Sequence, residues 1–242
     1  MYAIETKDLT KKYKDTVAVD KISFCVNDGE LVSLLGVNGA GKTTTVKMLS
    51  CLSSQTSGEA WIFGKSITAE KNEVKKIIGV SPQETAVAPT LTVRENLDFL
   101  AGIYGMDKEK REKRISELVE EFDFSSILDK KAKHLSGGWQ RRLSIAMALI
   151  SEPSVLFLDE PTLGLDVVAR SELWDFIRAL KGKITILLTT HYMEEAEKLS
   201  DRCAIMKSGR LVFFDTPAAL CQETGCNRFE DAFISVVKEQ KK

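Results

Sequence analysis

The sequence has almost no imbalance of charge and no long apolar run. Its 242 residues carry 34 Lys and Arg against 35 Asp and Glu, a formal net charge of -1 at pH 7. Nucleic-acid-binding chains usually carry a basic surplus, so we expect no nucleic-acid partner. The N-terminal residues contain no apolar signal core, and the longest apolar runs, 145–150 and 184–188, are far shorter than the roughly 20 residues that span a bilayer. The composition therefore argues against a secreted chain and against one integral to a membrane.

Histidine and paired cysteines are also scarce. There are two histidines and five cysteines. Only Cys221 and Cys226 lie close together, and neither His134 nor His191 is near them. An odd, dispersed set of cysteines fits neither zinc-ligand spacing nor a disulfide framework, and it favours reduced thiols. A hydrophobic content of 43% and a charged content of 29% are those of an ordinary globular protein with one domain or two small ones.

The remaining sequence is organised around residues 31–50, which predict a strand, a loop and a helix. The apolar run Leu31–Leu35 predicts a buried strand, and Thr44–Ser50 predicts the helix. The loop between them fits the pattern G-x-x-x-x-G-K-[ST] with Gly36, Val37, Asn38, Gly39, Ala40, Gly41, Lys42 and Thr43.

These residue types, in this order, suit a phosphate group. Gly36, Gly39 and Gly41 permit positive φ angles and a close approach of backbone N–H groups to an anion. The start of the helix adds its positive dipole end. Lys42 can reach β- and γ-phosphates as a mobile charge, and the Thr43 hydroxyl can ligate the Mg²⁺ that bridges them. A purely structural turn would not require strand, loop and helix to coincide in this way.

Two further polar residues could belong to the same site. Partial alternation in Ile4–Leu9 and Ile22–Val26 predicts short antiparallel strands. Tyr13, which lies between them, could stack on an adenine or could be an ordinary surface residue. Ile77–Val80 predicts another buried strand. Gln83, just beyond its carboxyl end, could reach a nucleotide-bound metal or water, or could satisfy loop backbone.

The segment from residue 92 to residue 150 has helical spacing and no strand pattern. It predicts a helical subdomain inserted between strands of the sheet. Near its end, Ser136, Gly137 and Gly138 precede a helix. The serine can be a plain N-cap. Alternatively, its hydroxyl, the bare glycine amides and the helix dipole can together form a second anion site.

Two acids follow the apolar run Val155–Leu158. Wholly apolar strands are typical of parallel sheets covered on both faces, and residues at their carboxyl ends face the ligand crevice. Asp159 fits a Mg²⁺ coordination sphere, and Glu160 is suited to accept a proton from the water that attacks a γ-phosphate. A helix cap is the alternative role for this pair. The strand predicted over 184–190 ends at His191, which could hydrogen-bond the γ-phosphate or be structural.

With these segments in order, the chain resembles the ATP-binding subunit of ABC transporters over essentially its whole length. The resemblance implies the ABC ATPase fold, an α/β P-loop NTPase core with a mainly parallel sheet, N-terminal antiparallel β strands and an inserted α-helical subdomain. We expect a single domain, 1–242. Within it, 1–87 and 151–221 would form the nucleotide-binding core, 88–150 the helical signature subdomain, and 222–242 a C-terminal helical tail.

The resemblance also implies roles for individual residues. These are adenine stacking by Tyr13; phosphate binding by the Walker A loop from Gly36 to Thr44; Q-loop contacts to metal and water by Gln83; metal binding by Thr43 and the Walker B residue Asp159; catalysis by Glu160 with Lys42 and the switch histidine His191; and ATP contacts by Asp166 of the D-loop and by Ser136, Gly137 and Gly138 of the signature. The signature is similar to LSGGQ but reads LSGGW, with Trp139 where glutamine is usual. Its anion-facing part is intact, which implies that ATP is still sandwiched.

As a whole, the resemblance implies ATP binding and hydrolysis with Mg²⁺. Two ATPase subunits, as a homodimer or a heterodimer, would close head to tail and drive a separate integral membrane permease. The chain would be cytoplasmic, held on the inner face of the cell membrane by that permease. Segments 190–197 and 229–233 look like the ABC-2 export branch, which includes drug and sodium exporters. The alternatives are an importer ATPase and a soluble ABC ATPase acting on ribosomes or nucleic acid.

Overall fold

The computed structural model describes residues 1–238, and its elements follow the order expected from the sequence. The strands are β1 (Tyr2–Tyr13), β2 (Thr16–Asn27), β3 (Leu31–Leu35), β4 (Ser57–Ile62), β5 (Lys65–Ser66), β6 (Ile78–Ser81), β7 (Val155–Asp159), β8 (Thr185–Thr190), β9 (Arg202–Lys207) and β10 (Arg210–Asp215). The helices are α1 (Lys42–Leu49), α2 (Lys71–Lys76), α3 (Val93–Ile103), α4 (Lys108–Glu121), α5 (Gly137–Leu149), α6 (Val167–Leu180), α7 (Met193–Leu199), α8 (Pro217–Thr224) and α9 (Phe229–Lys238), with a 3-10 turn at Ala132–His134.

The central sheet has the strand order β10-β9-β3-β8-β7-β6. Its strands pair in parallel except for β10, which pairs antiparallel with β9. Every residue of β3, β7 and β8 is buried. Alternate residues of these strands pack into two different clusters, one with the helical segment and α6, the other with α1 and the N-terminal strands. The expected mainly parallel sheet, covered on both faces, is therefore confirmed.

A second sheet, antiparallel and in the order β2-β1-β4-β5, contains N-terminal strands that are longer than predicted. β1 and β2 have 12 residues each, and their pairing runs as far as Tyr13 opposite Thr16. Residues 10–13 of the polar stretch continue the hydrogen-bonded ladder, since register shifts accommodate them and their side chains are half-exposed or exposed to solvent. As a result, the hairpin carries Tyr13 to the start of α1.

The segment 92–150 is helical, as predicted. Its one strand-type pairing among the described residues is a single bridge between Thr92 and Lys131. Thr92 and Glu95 form a capping box at the start of α3. α5 lies directly against β6, since a Cβ on Gly79 would be only 2.2 Å from the carbonyl oxygen of Ala148. This close contact fixes the signature helix at the edge of the central sheet.

The C-terminal part is helical as far as Lys238, through α8 and α9. Residues 239–242, predicted as part of the same tail, lie outside the described residues. Phe229 and Phe233 of α9 belong to a buried cluster with Cys203 and Ile205 of β9. Among residues 1–238, no helix is both long and apolar enough to cross a bilayer. The division into segments 1–87 with 151–221, 88–150 and 222–242 stays a prediction.

Candidate active site

Predicted site residues from five separate parts of the chain meet around one cavity of about 550 Å³. Those that line it are Tyr13, Asn38, Gly39, Ala40, Gly41, Lys42, Thr43, Thr44, Gln83, Glu160 and His191. The carboxyl ends of β3, β6, β7 and β8 all point to this edge of the sheet, because the four strands are parallel.

The phosphate loop has the glycine geometry that the motif predicts, with one correction. Gly39 and Gly41 have φ angles of +81° and +106°, where L side chains are strained. Gly36 does not have a positive φ. Glycine is needed there for space instead, because a Cβ would lie 2.6 Å from the carbonyl oxygen of Met206. The loop thus depends on β9 as well as on its own sequence.

Lys42 opens α1, with Gly41 at the N-cap, and its ammonium group lies at the floor of the cavity. Lys42 Nζ donates a hydrogen bond to the carbonyl oxygen of Gly36 at 2.7 Å and lies 3.3 Å from Oε1 of Glu160. Both side chains are almost completely buried, with exposed fractions of 6% and 7%. A buried pair of this kind holds each charge in place.

Glu160 is turned into the cavity by an unusual backbone conformation. Its φ angle is +50°, which is strained for a residue with a Cβ. Its amide donates to the carbonyl oxygen and the hydroxyl of Thr189, at 3.1 and 3.0 Å. Glu160 Oε2 lies 2.7 Å from Nδ1 of His191. The carboxylate is therefore held from two sides, by Lys42 and by His191.

Asp159 lies just below the cavity, buried at the end of β7. Its Oδ1 accepts hydrogen bonds from the hydroxyl of Thr43, at 3.1 Å, and from that of Thr189. A hydroxyl and a carboxylate at this floor fit Mg²⁺, which binds hard oxygen ligands and takes few from the protein. Residues 1–238 contain no group of three or more His, Cys, Asp or Glu side chains that could hold a metal ion.

Gln83 and Tyr13 border the opening of the cavity. Gln83 is exposed, while its carbonyl oxygen and that of Pro82 each accept a hydrogen bond of 2.7 Å from the guanidinium of Arg141. Tyr13 is 47% exposed, and the ammonium of Lys11 lies 4.8 Å from the centre of its ring. Both side chains are open to a ligand, as their predicted roles require.

Sequence reasoning missed two residues that support this site, Arg141 and Thr189. Arg141 is buried, which lowers its pKa, and the nearby charge of Asp159 opposes that shift. The helical spacing offers a signal for Arg141, because it places this residue on the same buried face of α5 as Ser144 and Ala148. A buried cation requires a polar partner. Thr189 likewise stands out as a hydroxyl in a buried strand. Neither signal identifies the atoms that it contacts.

The signature and D-loop residues do not reach this cavity. Ser136 is the N-cap of α5, and its hydroxyl accepts from the amide of Trp139 at 3.4 Å, so the capping role holds. Asp166 caps α6 by accepting from the amide of Ala169 at 2.9 Å. These two helix starts touch, since a Cβ on Gly138 would lie 3.1 Å from that of Ala169. They form a second surface of the molecule, distinct from the cavity.

Trp139 packs back onto the helical segment 92–150. Its ring centre is 6.1 Å from that of Phe124, and the guanidinium of Arg142 stacks 4.8 Å from it. Arg142 also pairs with Glu172 of α6 at 2.7 Å. The large side chain is thereby accommodated beside the exposed Ser136 and Gly137 without covering them.

Comparison with known proteins gives a consistent answer. A family model described as ABC transporter matches residues 19–163. The chain is 40% identical over 230 residues to the daunorubicin resistance ATP-binding protein DrrA2 of Streptomyces coeruleorubidus, covering 95% of this chain and 71% of that protein. It is 41% identical over 230 residues to the Nod factor export ATP-binding protein I of Burkholderia orbicola, covering 94% and 75%.

A solved structure supports the same assignment. It is the dimeric, post-hydrolysis state of the ATP-binding cassette MJ0796 with ADP and Pi, at a TM-score of 0.78 and 28% identity over 88% of this chain and 98% of that one. In this chain the phosphate loop, Gln83, Glu160 and His191 meet at one edge of the sheet. The chain therefore belongs to the ABC transporter family, as an ATP-binding and ATP-hydrolysing subunit with the ABC ATPase fold.

Proposed function

We propose that two such subunits close head to tail on ATP and drive export through a separate integral membrane permease. The observation that carries this proposal is the separation of the two anion-binding features. The phosphate loop lines the cavity, whereas Ser136, Gly137 and Gly138 lie on another surface of the same chain. A second subunit would bring its signature over the cavity of the first. A homodimer is the simplest arrangement, and a heterodimer would use the same surfaces.

Within the closed pair, each predicted residue has a chemical task that matches its position. The ammonium of Lys42 would neutralise the β- and γ-phosphates, and the amides of Gly39 and Gly41 would bind their oxygens. The carboxylate of Glu160 would accept the proton of the attacking water, while His191 orients that carboxylate and contacts the γ-phosphate. Tyr13 would stack on the adenine.

Thr43 and Asp159 would hold Mg²⁺ together, with Gln83 approaching from the opening of the cavity. The Thr43 hydroxyl lies within hydrogen-bond distance of the Asp159 carboxylate, at 3.1 Å, which supports this assignment. The bound ion would offset the charge on the phosphate oxygens. Asp166 would contact the second subunit from the first turn of α6.

The surface for the permease is an apolar groove of about 420 Å³ between the helical subdomain and the core. Its lining includes Leu52, Leu100, Ile103, Tyr104 and Met147. Leu52 and Ile103 are 66% and 64% exposed, which is unusual for large apolar residues that line the same groove. Through this groove the chain would be held at the cytoplasmic face of the membrane.

Export is favoured over import by the names of the relatives, one a daunorubicin resistance protein and one a Nod factor export protein. The charge balance of the chain gives no support to a ribosome- or nucleic-acid-bound ATPase.

The decisive experiment is to purify the tagged chain from detergent-solubilised membranes of its host and to identify co-purifying proteins by mass spectrometry. We expect a stoichiometric multi-span partner whose topology is that of an exporter. The same purification is repeated with Ile103→Asp, a substitution in the groove. This variant should no longer co-purify with the membrane partner, while ATP hydrolysis by the isolated chain persists. Recovery only in the soluble fraction, with ribosomes or nucleic acid attached, would contradict the transport assignment.

The catalytic assignment has its own test, Glu160→Gln. This variant should bind ATP normally and lose turnover by about 100-fold or more, because the amide cannot accept the proton of the attacking water. Binding is measured with a fluorescent ATP analogue and turnover by phosphate release. Normal steady-state hydrolysis would rule out Glu160 as the base.

A further inference from the structure

Glu195, in the first turns of α7, is a buried acid for which the catalytic scheme above has no use. Its side chain is completely buried. Oε1 accepts a hydrogen bond from the indole N–H of Trp174 at 2.9 Å. Oε2 has no hydrogen-bond partner of standard geometry among residues 1–238. A buried polar atom in this condition is costly and calls for an explanation.

A second such atom lies in the neighbouring segment. The hydroxyl of Thr162 is also buried and has no hydrogen-bond partner of standard geometry within the described part of the chain. Both the Thr162 hydroxyl and that of Thr190 lie against the Glu195 carboxyl. Thr190 already accepts a hydrogen bond from the amide of Tyr192 at 2.9 Å. Its own proton is therefore available to the carboxyl, and Thr162 is left in need of a partner.

The electrostatic surroundings disfavour an ionised Glu195. No Lys, Arg or His among residues 1–238 forms an ion pair with it. The charged group that acts on it is another acid, Glu160. Burial is the largest influence and raises the pKa of Glu195, the nearby Thr190 and Thr162 hydroxyls and the Trp174 indole N–H lower it, and the charge of Glu160 raises it. A carboxyl that is buried near another acid and has no cation beside it is expected to keep its proton.

We propose that Glu195 carries a proton on Oε2 and donates it in a hydrogen bond to the Thr162 hydroxyl, acting as a positioning residue for Glu160. This bond would satisfy both orphaned atoms. Glu195 would then connect two segments of the site. Thr162 lies two residues beyond Glu160, and Thr190, which also contacts the Glu195 carboxyl, immediately precedes His191. The inference rests on the proposed role of Glu160.

The consequence for catalysis is geometric. Glu160 has a strained backbone and needs surrounding structure to hold it there. Thr162 anchors the turn after it, because the Thr162 carbonyl oxygen also accepts from the amide of Leu165 at 3.2 Å. Without the bond from Glu195, the turn after Glu160 would lose one anchor, and the carboxylate would be aligned less tightly between Lys42 and His191. The Glu195 carboxyl itself lines neither the nucleotide cavity nor its opening.

The first test compares two substitutions of similar size in the full chain. Glu195→Gln keeps one acceptor for Trp174 and one donor for Thr162, so kcat should stay within about threefold of wild type. Glu195→Leu fills the space without hydrogen bonds, and it should lower kcat by about 10- to 100-fold with little change in the KM for ATP. Glu194→Gln is the matched control, because that exposed acid precedes Glu195 and pairs only with Lys198 among the described residues.

Thr162→Val keeps the test decisive if Glu195→Leu does not fold. It removes the other end of the bond with almost no change in shape, and it should lower kcat in the same way. Wild-type kcat in Glu195→Leu or in Thr162→Val would overturn the proposal. So would a Glu195→Gln variant as impaired as Glu195→Leu, because a charge rather than a donor would then be required.

Infrared difference spectroscopy reads the proton directly and does not depend on turnover. The wild-type spectrum minus that of Glu195→Gln, at pH 7, should show the carbonyl stretch of a protonated carboxylic acid that shifts in D₂O. Absence of this band would overturn the proposal. If Glu160→Gln instead hydrolysed ATP normally, the assigned role of Glu160 would fail, while the band would still report the state of Glu195.

Discussion

The pair formed by Lys42 and Glu160 permits a quantitative prediction, because each side chain is almost completely buried and the charges lie 3.3 Å apart. Lys42→Met removes the ammonium and leaves the carboxylate of Glu160 in a poorly solvated position. Removing one partner of a buried pair costs about 3–5 kcal/mol. Nδ1 of His191, 2.7 Å from the other oxygen of Glu160, remains as a hydrogen-bond partner of the carboxylate, so we expect the lower end of this range.

A loss of about 3 kcal/mol corresponds to a fall in Tm of roughly 6–12 °C for a chain of this length. Glu160→Gln in the same chain removes the isolated charge, so the double variant should be more stable than the sum of the two single losses predicts. We expect a coupling free energy of at least about 1.5 kcal/mol, within the range measured for residues in contact.

The assay is urea unfolding of the nucleotide-free protein, followed by the fluorescence of its three tryptophans. Lys198→Met is the matched control, because Lys198 pairs with Glu194 at 2.7 Å on an exposed surface where ion pairs contribute little. Coupling below about 0.5 kcal/mol would refute the reasoning, since the two side chains would then act independently. In a separate titration, Lys42→Met should weaken ATP binding, and unchanged affinity would count against the phosphate-loop assignment.

Three further predictions concern packing and reactivity. Gly79→Ala should destabilise the fold by about 1–3 kcal/mol, because the added Cβ would lie 2.2 Å from the carbonyl oxygen of Ala148. Gly102→Ala is the control, because its added Cβ meets no neighbouring atom nearer than 3.5 Å. Equal Tm values for the two variants would contradict this prediction. Trp139→Gln removes the stacking on Phe124 and Arg142, so it should lower the free energy of unfolding in urea by about 1 kcal/mol and leave ATP affinity unchanged. A large loss of affinity would show that the ring contacts nucleotide. Cys203 should resist iodoacetamide at pH 8 in the native protein but not in denaturant, because burial raises its pKa to about 12; rapid native alkylation, seen by mass spectrometry, would disprove this.

The chemistry and its order along the chain could be predicted from the sequence. The phosphate loop is a local pattern in which glycine geometry, a lysine and a helix start follow one another, so residues 36–44 could be assigned without a structure. The apolar run before Asp159 likewise identified a buried parallel strand with acids at its end. Such features are encoded by neighbouring residues, which is why short-range periodicity and residue type are sufficient to detect them.

Other features arise only where distant segments meet. The carbonyl oxygen of Met206 leaves no space for a Cβ at position 36, and the guanidinium of Arg141 fixes the backbone at Gln83 through hydrogen bonds to carbonyl oxygens. The N-terminal hairpin is longer than the sequence predicted, because pairing across irregular register keeps polar residues in a ladder. No local pattern encodes these contacts, since each depends on which strand or helix lies alongside.

The sequence by itself determined the family and the order of strands and helices, and it predicted the residues proposed to carry the chemistry, because each is encoded in a short run of the chain. The tertiary structure decided how those residues stand to one another. It set Glu160 between Lys42 and His191, and it placed the signature on a surface apart from the phosphate loop. It also buried Glu195 next to the catalytic turn. The physical reason is that distances, burial and electrostatic coupling are properties of packed elements far apart in sequence.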